Sequence, residues 1–460
     1  MQLKSIREIA FTTTLPAANE TEYGVYLVKT HRRWVLHIAR PELIEEFMSK
    51  IDGFAKLQAV INPKTLLGRF IGGRNLLTLD GNEWIEQHKI MKAAFDLASP
   101  LGSFDAVGQK LITRIDDMDN GSVNWQRLAN HWALDLLGKT IFDFDFGAID
   151  GTESQWSTRY RSIFQACFHP LYLTLPMLDT WFLPSKRRHM HQELTTLLGI
   201  MDDRIKQASN PPNGNESLTE KNLLTLILEA QEEHSGNMND EGIRSNLCAF
   251  FMVGHRALAY TLALAVYHIA VNQDVQQKAR EEVIAIMGPG GYNRDDMPTL
   301  AQFSEMPYME YVIKETMRMH PPTPVLHGRM ATEDVSLGNL LIPKGAQVSL
   351  DIYELHHNPI VWKNPETFDP LRFAPRGEVD QLHSQGKLPW IPFNHHPRQC
   401  IGKDFSLRAL TMTLAMLVQC FDISLPNDSP HKDRIDTIGY TGISPTELMI
   451  NFTKRHEAHC

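Results

Sequence analysis

The stretch from Ile243 to about Val271 does most to limit how this chain can fold. It is apolar at helical spacing, contains no proline, and carries Gly254 near its middle. A helix that is apolar nearly all round must be buried, in a large protein or in a bilayer. His255 and Arg256 near its centre speak against the bilayer, where charged side chains are costly. The stretch reads as the central helix of a large helical domain. At 460 residues the chain allows two or three domains, or one large compact one.

The formal net charge of −9 argues against nucleic acid as a partner. Five cysteines, at 167, 248, 400, 420 and 460, show no paired spacing and read as free thiols of a reducing compartment. No signal peptide opens the chain, and no run of about eighteen apolar residues lacks a charge. The chain starts almost at once in strand-like sequence. Tyr23–Val28 and Trp34–Ile38 alternate and carry β-branched or aromatic residues, which predicts a strand pair. Pro41 opens a short helix over Glu42–Ser49. Gly68–Leu79, with three glycines, reads as a loop. A helix follows Asp80 and carries Trp84, His88 and Lys89; Trp84 and His88, four apart, share a face. Helical patterning continues over Leu128–Thr140, Thr158–Phe168 and Arg187–Gln207. Leu171–Pro184 between the last two is apolar and broken by proline, and Ser209–Glu220 is a polar surface loop.

The chemistry concentrates near the C-terminus, in Phe393-Asn-His-His-Pro-Arg-Gln-Cys400-Ile-Gly402. Cys400 lies in a tight loop before an apolar helical run that includes Leu407, Leu410, Leu414 and Leu417. A cysteine at a helix start faces free N–H groups and the positive end of the helix dipole, which favour thiolate. Such a thiolate can ligate haem iron. Gly402 lets the backbone approach a flat cofactor, and Arg398 can reach a haem propionate. Upstream, Glu315 and Arg318 lie three apart in a helix stopped by Pro321 and Pro322. Asn364-Pro-Glu-Thr-Phe-Asp-Pro-Leu-Arg372-Phe follows.

These motifs, in this order, resemble the cytochrome P-450 family. Phe393, Arg398, Cys400 and Gly402 match its cysteine loop, with His396 where the family has glycine. The resemblance implies a mainly α fold with a small β-rich part, and one haem b (iron protoporphyrin IX) with Cys400 as the axial iron ligand. It implies one catalytic domain over residues 1–460, with the β-rich part at about 20–60 and 325–370 and the helical part elsewhere. Trp84, His88 and Arg329 resemble propionate contacts. Glu315, Arg318 and Arg372 resemble a structural ion network that supports the cysteine loop. Leu66–Leu79, Phe164–Leu183, Thr323–His327 and Ile438–Ile443 would line the pocket. The long helix resembles the distal helix, and Gly254, Arg256 and Ala257 fall in its signature place, where the family has an acid followed by Thr. Eukaryotic members carry an N-terminal membrane helix and hinge. Neither is read here, so the expectation is a eukaryotic or fungal-type member without that anchor.

The resemblance further implies a monooxygenase that acts on a hydrophobic small molecule, in the tailoring of a secondary metabolite. Its electron donor would be an NADPH-dependent reductase, docking where Lys89, Lys92 and Lys403 carry positive charge, with a peripheral membrane contact. The place would be the cytoplasmic side of the endoplasmic reticulum if an anchor exists, and otherwise the cytoplasm. Arg256 stays charged and does not release a proton, and Ala257 has no hydroxyl. Thr261 is one turn further on, ~6 Å along the axis. Two alternatives follow: a peroxide-using or non-oxygenating haem-thiolate enzyme (an isomerase, a dehydratase or a coupling enzyme), and a catalytically inactive haem-binding relative.

Overall fold

The computed structural model describes residues 5–455 except 30–32, 57–61, 99, 119–121, 152–153, 181–183, 210–220, 235–237, 289–301, 303–304, 396, 436, 439–443 and 446. The expected loop at 209–220, most of the 436–443 tip, the end of the 171–184 segment and His396 therefore lie largely or wholly outside the described residues.

The chain divides into two compact units. The first comprises Met1–Leu57, Leu111–Asn130 and Arg256–Cys460. Every described strand falls in it. Its main sheet has five strands in the order Val25–Lys29, Trp34–Ile38, Gln347–Asp351, Val325–Ala331, Phe54–Lys56. Val25–Lys29 and Trp34–Ile38 form the expected antiparallel pair, in which Val25 faces Ile38 and Lys29 faces Trp34. Trp34–Ile38 then runs parallel to Gln347–Asp351, which brings together segments some three hundred residues apart. One face of the sheet packs on the helix Pro41–Ser49 in a core that includes Ile38, Ile44, Phe47, Phe54, Val348 and Leu350. Proline at the first helical turn suits that helix, because the missing N–H would be unbonded there in any case.

Before this sheet the chain is helical, not extended. Ile6–Ile9, a π-helical turn Ala10–Thr14 and Leu15–Asn19 precede the first strand. Tertiary partners hold this segment: Thr14 Oγ1 donates to Glu354 Oε1 at 2.7 Å, and Arg7 Nε donates to Glu366 at 2.9 Å. None of these contacts is legible in local sequence.

The second unit comprises Gln58–Lys110 and His131–His255, and its described elements are helical. Leu66–Ile71 is a short helix where a loop was expected; Thr65 caps it by accepting from Gly68 N–H. Gly72 ends it with φ 74°, a left-handed turn that glycine adopts at little cost. Within this unit Phe146, Tyr160, Phe164, Phe251 and His255 form an aromatic cluster with ring centroids 5.0–6.2 Å apart. The long helix is observed over Asp240–Val271; its residues to His255 belong to the second unit and those from Arg256 to the first. By length and composition it would cross a membrane, but 72% of its most apolar window is buried within the protein, as a central core helix requires.

Candidate active site

The cysteine loop is braced by its own backbone. Cys400 N–H donates to Phe393 O at 2.8 Å, and Asn394 N–H to Ile391 O at 3.0 Å. Asn394 takes the left-handed turn, φ 61°, and its side-chain amide donates to Arg398 O at 3.1 Å. Asparagine tolerates that conformation better than most residues. Gly402 has φ −89° and caps the helix Lys403–Cys420, so the turn that needs a special residue falls at Asn394 rather than Gly402. Cys400 is exposed as a residue, while its thiol is crowded by protein.

That crowding decides the thiol's acidity. Desolvation pushes the Cys400 pKa up; the Gly402 N–H and Lys403 pull it down, and Asp404 opposes them. The sequence predicts a thiolate, and the N–H donor it relies on is present. Desolvation outweighs that donor, so the fold alone does not hold the sulfur ionised. A coordinating thiol is deprotonated as it binds a metal, and the proton is released to solvent. An exposed cysteine in a backbone-braced loop, with the Gly402 N–H donating to its sulfur, fits an iron-ligating thiolate.

Glu315, Arg318 and Arg372 come together in the first unit. Arg318 Nε and Nη2 donate to the two carboxylate oxygens of Glu315 at 2.7 and 2.8 Å, and Arg372 Nε lies 3.3 Å from Oε1. Asp369 N–H donates to the same oxygen at 3.0 Å. The sequence analysis missed the second acid, Glu378, which pairs with Arg372 Nη1. Two arginines thus meet two glutamates, and the buried cluster is neutral. Arg318 also donates to His356 O, Pro365 O and Thr367 O.

The link from this cluster to the cysteine loop is His356, which sequence did not flag. Its Nδ1 lies 3.1 Å from Arg318 O, an acceptor, and its Nε2 accepts from Ile391 N–H at 3.2 Å. The ring is therefore neutral, with its proton on Nδ1. Burial pushes its pKa well below the ordinary histidine value, and the Arg318 charge pushes the same way. Ile391 then leads into Phe393. Trp390 adds a second tie: its indole N–H donates to Lys314 O at 3.2 Å, and its ring meets Phe393 edge-on at 6.1 Å.

Arg329 lies on the strand Val325–Ala331, just past a register shift. Leu326 faces Leu350 and Arg329 faces Val348, one residue more on its own strand than on the partner. Gly328, φ 93°, allows this bulge, which re-aims the next side chain. Arg329 Nη1 donates to Phe54 O at 3.2 Å. In the second unit Trp84 and His88 stack on the helix Gly81–Leu97, centroids 4.4 Å apart and planes 25° apart.

On the long helix, Gly254, Arg256 and Ala257 are half-buried while Met252, His255, Leu258 and Ala259 are buried. His255 lies with Tyr160, whose hydroxyl is 3.4 Å from Nδ1. Thr261 is wholly buried and its hydroxyl has no hydrogen-bond partner among the described residues.

Also in the second unit, Asp179 accepts from Arg187 Nε and Nη2 at 2.6 Å each, from Leu66 N–H at 2.8 Å and from His191 Nε2 at 3.0 Å. Arg69 Nη1 lies 3.0 Å from His191 Nδ1 and can only donate, so the His191 proton is on Nε2. These donors hold the Asp179 carboxyl below its usual range despite burial. The segment it pins is apolar and outward: Leu171, Leu173, Leu175, Met177 and Leu178 are 38–66% exposed.

A sequence model described as Cytochrome P-450 matches residues 12–451. The chain belongs to the cytochrome P-450 family. It is 27% identical over 398 residues to cytochrome P-450 4X1 of Homo sapiens, covering 84% of this chain and 75% of that protein. It is 29% identical over 372 residues to cytochrome P-450 4A10 of Mus musculus, covering 76% and 69%. The crystal structure of the cytochrome P-450DA heme domain superposes with TM-score 0.79 at 22% identity, covering 99% of this chain and 96% of that one. The mainly α fold with a smaller sheet part is thus the cytochrome P-450 fold. Membership brings haem b as cofactor, monooxygenase chemistry, hydrophobic substrates and the use of a redox partner.

Proposed function

We propose that this cytochrome P-450 binds haem through Cys400 and monooxygenates a hydrophobic small molecule in the oxidative tailoring of a secondary metabolite. The observation that carries the reading is the exposed Cys400 in its backbone-braced loop. When bound, haem supplies the oxygen-activating iron. Arg329 and Arg398 would hold the propionates, with Phe393 beside the loop, and Trp84 and His88 are the further propionate contacts that the family resemblance implies. Glu315, Arg318 and Arg372 hold the loop in place through His356 and take no part in the chemistry. Both units belong to one catalytic domain, as the family match across 12–451 supports. An NADPH-dependent reductase supplies the electrons. The exposed apolar run Leu171–Leu178 supports a peripheral membrane contact; the place is the cytoplasmic side of the endoplasmic reticulum if the native protein has an anchor, and otherwise the cytoplasm.

Gly254, Arg256 and Ala257 are half-buried on the long helix, which we read as the distal helix. Arg256 brings a fixed positive charge where the family has an acid, and Ala257 brings no hydroxyl. A proton relay through these side chains is therefore absent, and protons come from substrate hydroxyl or ordered water. The same charge favours one second reading: Arg256 holds a substrate carboxylate and peroxide serves as oxidant. Turnover with peroxide against turnover with reductase and NADPH tests the choice. In the monooxygenase reading the reductase system is the faster, and Arg256→Glu with Ala257→Thr raises the coupling of reductant to product. Turnover with peroxide alone, lost in Arg256→Ala, overturns it in favour of the second reading.

A further inference from the structure

The segment ahead of the main sheet is fastened by polar ties more than by apolar packing. From Ile6 to Asn19, Ile6 and Leu15 are the large apolar side chains that are buried, and Ala10, Thr14 and Ala18 make up the rest of the buried face. Phe11 is half-buried, its ring edge-on to His357 with centroids 6.2 Å apart. The ties are spaced along the segment. Arg7 Nε donates to Glu366 at 2.9 Å and Thr14 Oγ1 to Glu354 at 2.7 Å. At its end the amides of Asn19 and Asn358 donate to each other at 3.3 and 3.0 Å. A segment with so little apolar burial opens well below the free energy of global unfolding, so its ties decide when it is closed. The π-helical turn Ala10–Thr14 ends at the middle tie; such turns are rare and recur at functional sites.

The middle tie is made to a carboxyl that is costly to ionise. Glu354 and Asp351 lie three apart and both are buried. Asp351 accepts from the Tyr26 hydroxyl on one oxygen and from His37 Nδ1 on the other, donors that suit a carboxylate. Glu354 has the single donor Thr14, and its Oε2 has no hydrogen-bond partner among the described residues. Two adjacent buried carboxylates resist ionising together, so Asp351 carries the charge and Glu354 the proton. The other titratable groups around Glu354 are committed elsewhere. Tyr26 and His37 hold Asp351, His356 lies between Arg318 O and Ile391 N–H, and His357 meets Glu366.

We propose that Ile6–Thr14 is a strap over this carboxyl pair, hinged at the Asn19–Asn358 contact, which opens as Glu354 ionises. Burial, with the Asp351 charge, puts the Glu354 pKa at about 8. With the strap open the carboxyl is hydrated and titrates nearer 4.3. Closure is therefore strongest in acid, weakens as pH rises from about 4.3 through 8, and levels off above. The Arg7 tie persists over this range, because hydrogen bonds from His357 and Arg7 hold the Glu366 pKa at about 2 despite burial.

Hydrogen exchange of the full-length haem-loaded protein tests it, read by mass spectrometry on the peptide spanning Ile6–Asn19 and corrected for the intrinsic pH dependence of exchange. Protection of that peptide should fall at least about tenfold from pH 6 to pH 8, while the helix Lys403–Cys420 keeps its protection. In Glu354→Gln the strap's protection should not change with pH. Thr14→Val removes the donor and keeps the carboxyl, and should lower protection about fivefold at pH 6. An unchanged haem spectrum shows that each variant is folded. Wild-type protection equal at both pH values overturns the proposal. So does a wild-type pH dependence in Glu354→Gln, which would assign the change to another group such as His357, or a Thr14→Val strap as protected as wild type. A loss shared by Lys403–Cys420 also overturns it, by making the opening part of a wider unfolding.

Discussion

Replacing Glu354 with glutamine should make this protein more stable at alkaline pH and leave it nearly unchanged in acid. Glu354 is 5% exposed, and burial, reinforced by the charge of Asp351, raises its pKa to about 8. Asp351 is already committed, with His37 Nδ1 at 2.7 Å and the Tyr26 hydroxyl on its other oxygen. Thr14 donates to Glu354 Oε1, and Oε2 has no hydrogen-bond partner among the described residues. An unfolded glutamate titrates near 4.3. The folded state therefore holds the proton more tightly than the unfolded chain. This contribution is fully present below about 4.3 and is lost as pH rises through 8. At about 1.4 kcal/mol per unit, the span of nearly four units amounts to roughly 5 kcal/mol. Glutamine keeps the Thr14 bond and carries no charge, but leaves an amide group where Oε2 stands, at about 1–3 kcal/mol. The net expectation is a gain of roughly 2–4 kcal/mol at pH 8 and about zero or a small loss at pH 5. Urea unfolding followed by circular dichroism at both values measures it. A Glu354→Gln variant whose stability difference is the same at pH 5 and pH 8 would refute the argument.

Three further outcomes follow from the same geometry. His356→Leu strips Ile391 N–H and Arg318 O of their partner, so about 2–4 kcal/mol should be lost. Transfer of haem to an acceptor apoprotein should speed up as well, with His356→Gln intermediate. Burial holds His268, His320 and His356 below the usual histidine range, His268 at about 3. Their neutral forms therefore stabilise the fold above an unfolded value near 6.5, and that contribution is lost as pH falls below it. The combined slope is up to about 4 kcal/mol per pH unit, and unfolding midpoints from pH 7 to 5 check it. Asp179→Ala leaves Arg187 buried without its carboxylate and should cost about 3–5 kcal/mol. It should also expose the 170–184 segment to limited proteolysis well before global unfolding, whereas a wild-type digestion pattern would contradict the role given to Asp179.

What could be read in sequence was what short-range physics fixes. The long helix, the Pro41 helix, the first strand pair and the cysteine loop each carry a local signal: apolar period, proline at a helix start, alternation, or a compact motif. The thiol's acidity was not legible, because the N–H donor that lowers it is local while the desolvation that raises it depends on packing in the folded protein. His356 and Glu378 were missed for a related reason. His356 lies 38 residues from Arg318, and Glu378, six residues from Arg372, reaches it only through the turn between them. The N-terminal segment lacks a strong apolar period of its own and is helical through partners such as Glu354 and Glu366, some three hundred and forty residues away.

The most direct test of the central claim is the carbon monoxide difference spectrum of the reduced, purified protein. The account predicts a strongly red-shifted haem band that Cys400→Ala abolishes while leaving the fold intact. Folded, haem-containing protein without that band, or a band that survives Cys400→Ala, would contradict the assignment of Cys400 as the iron ligand.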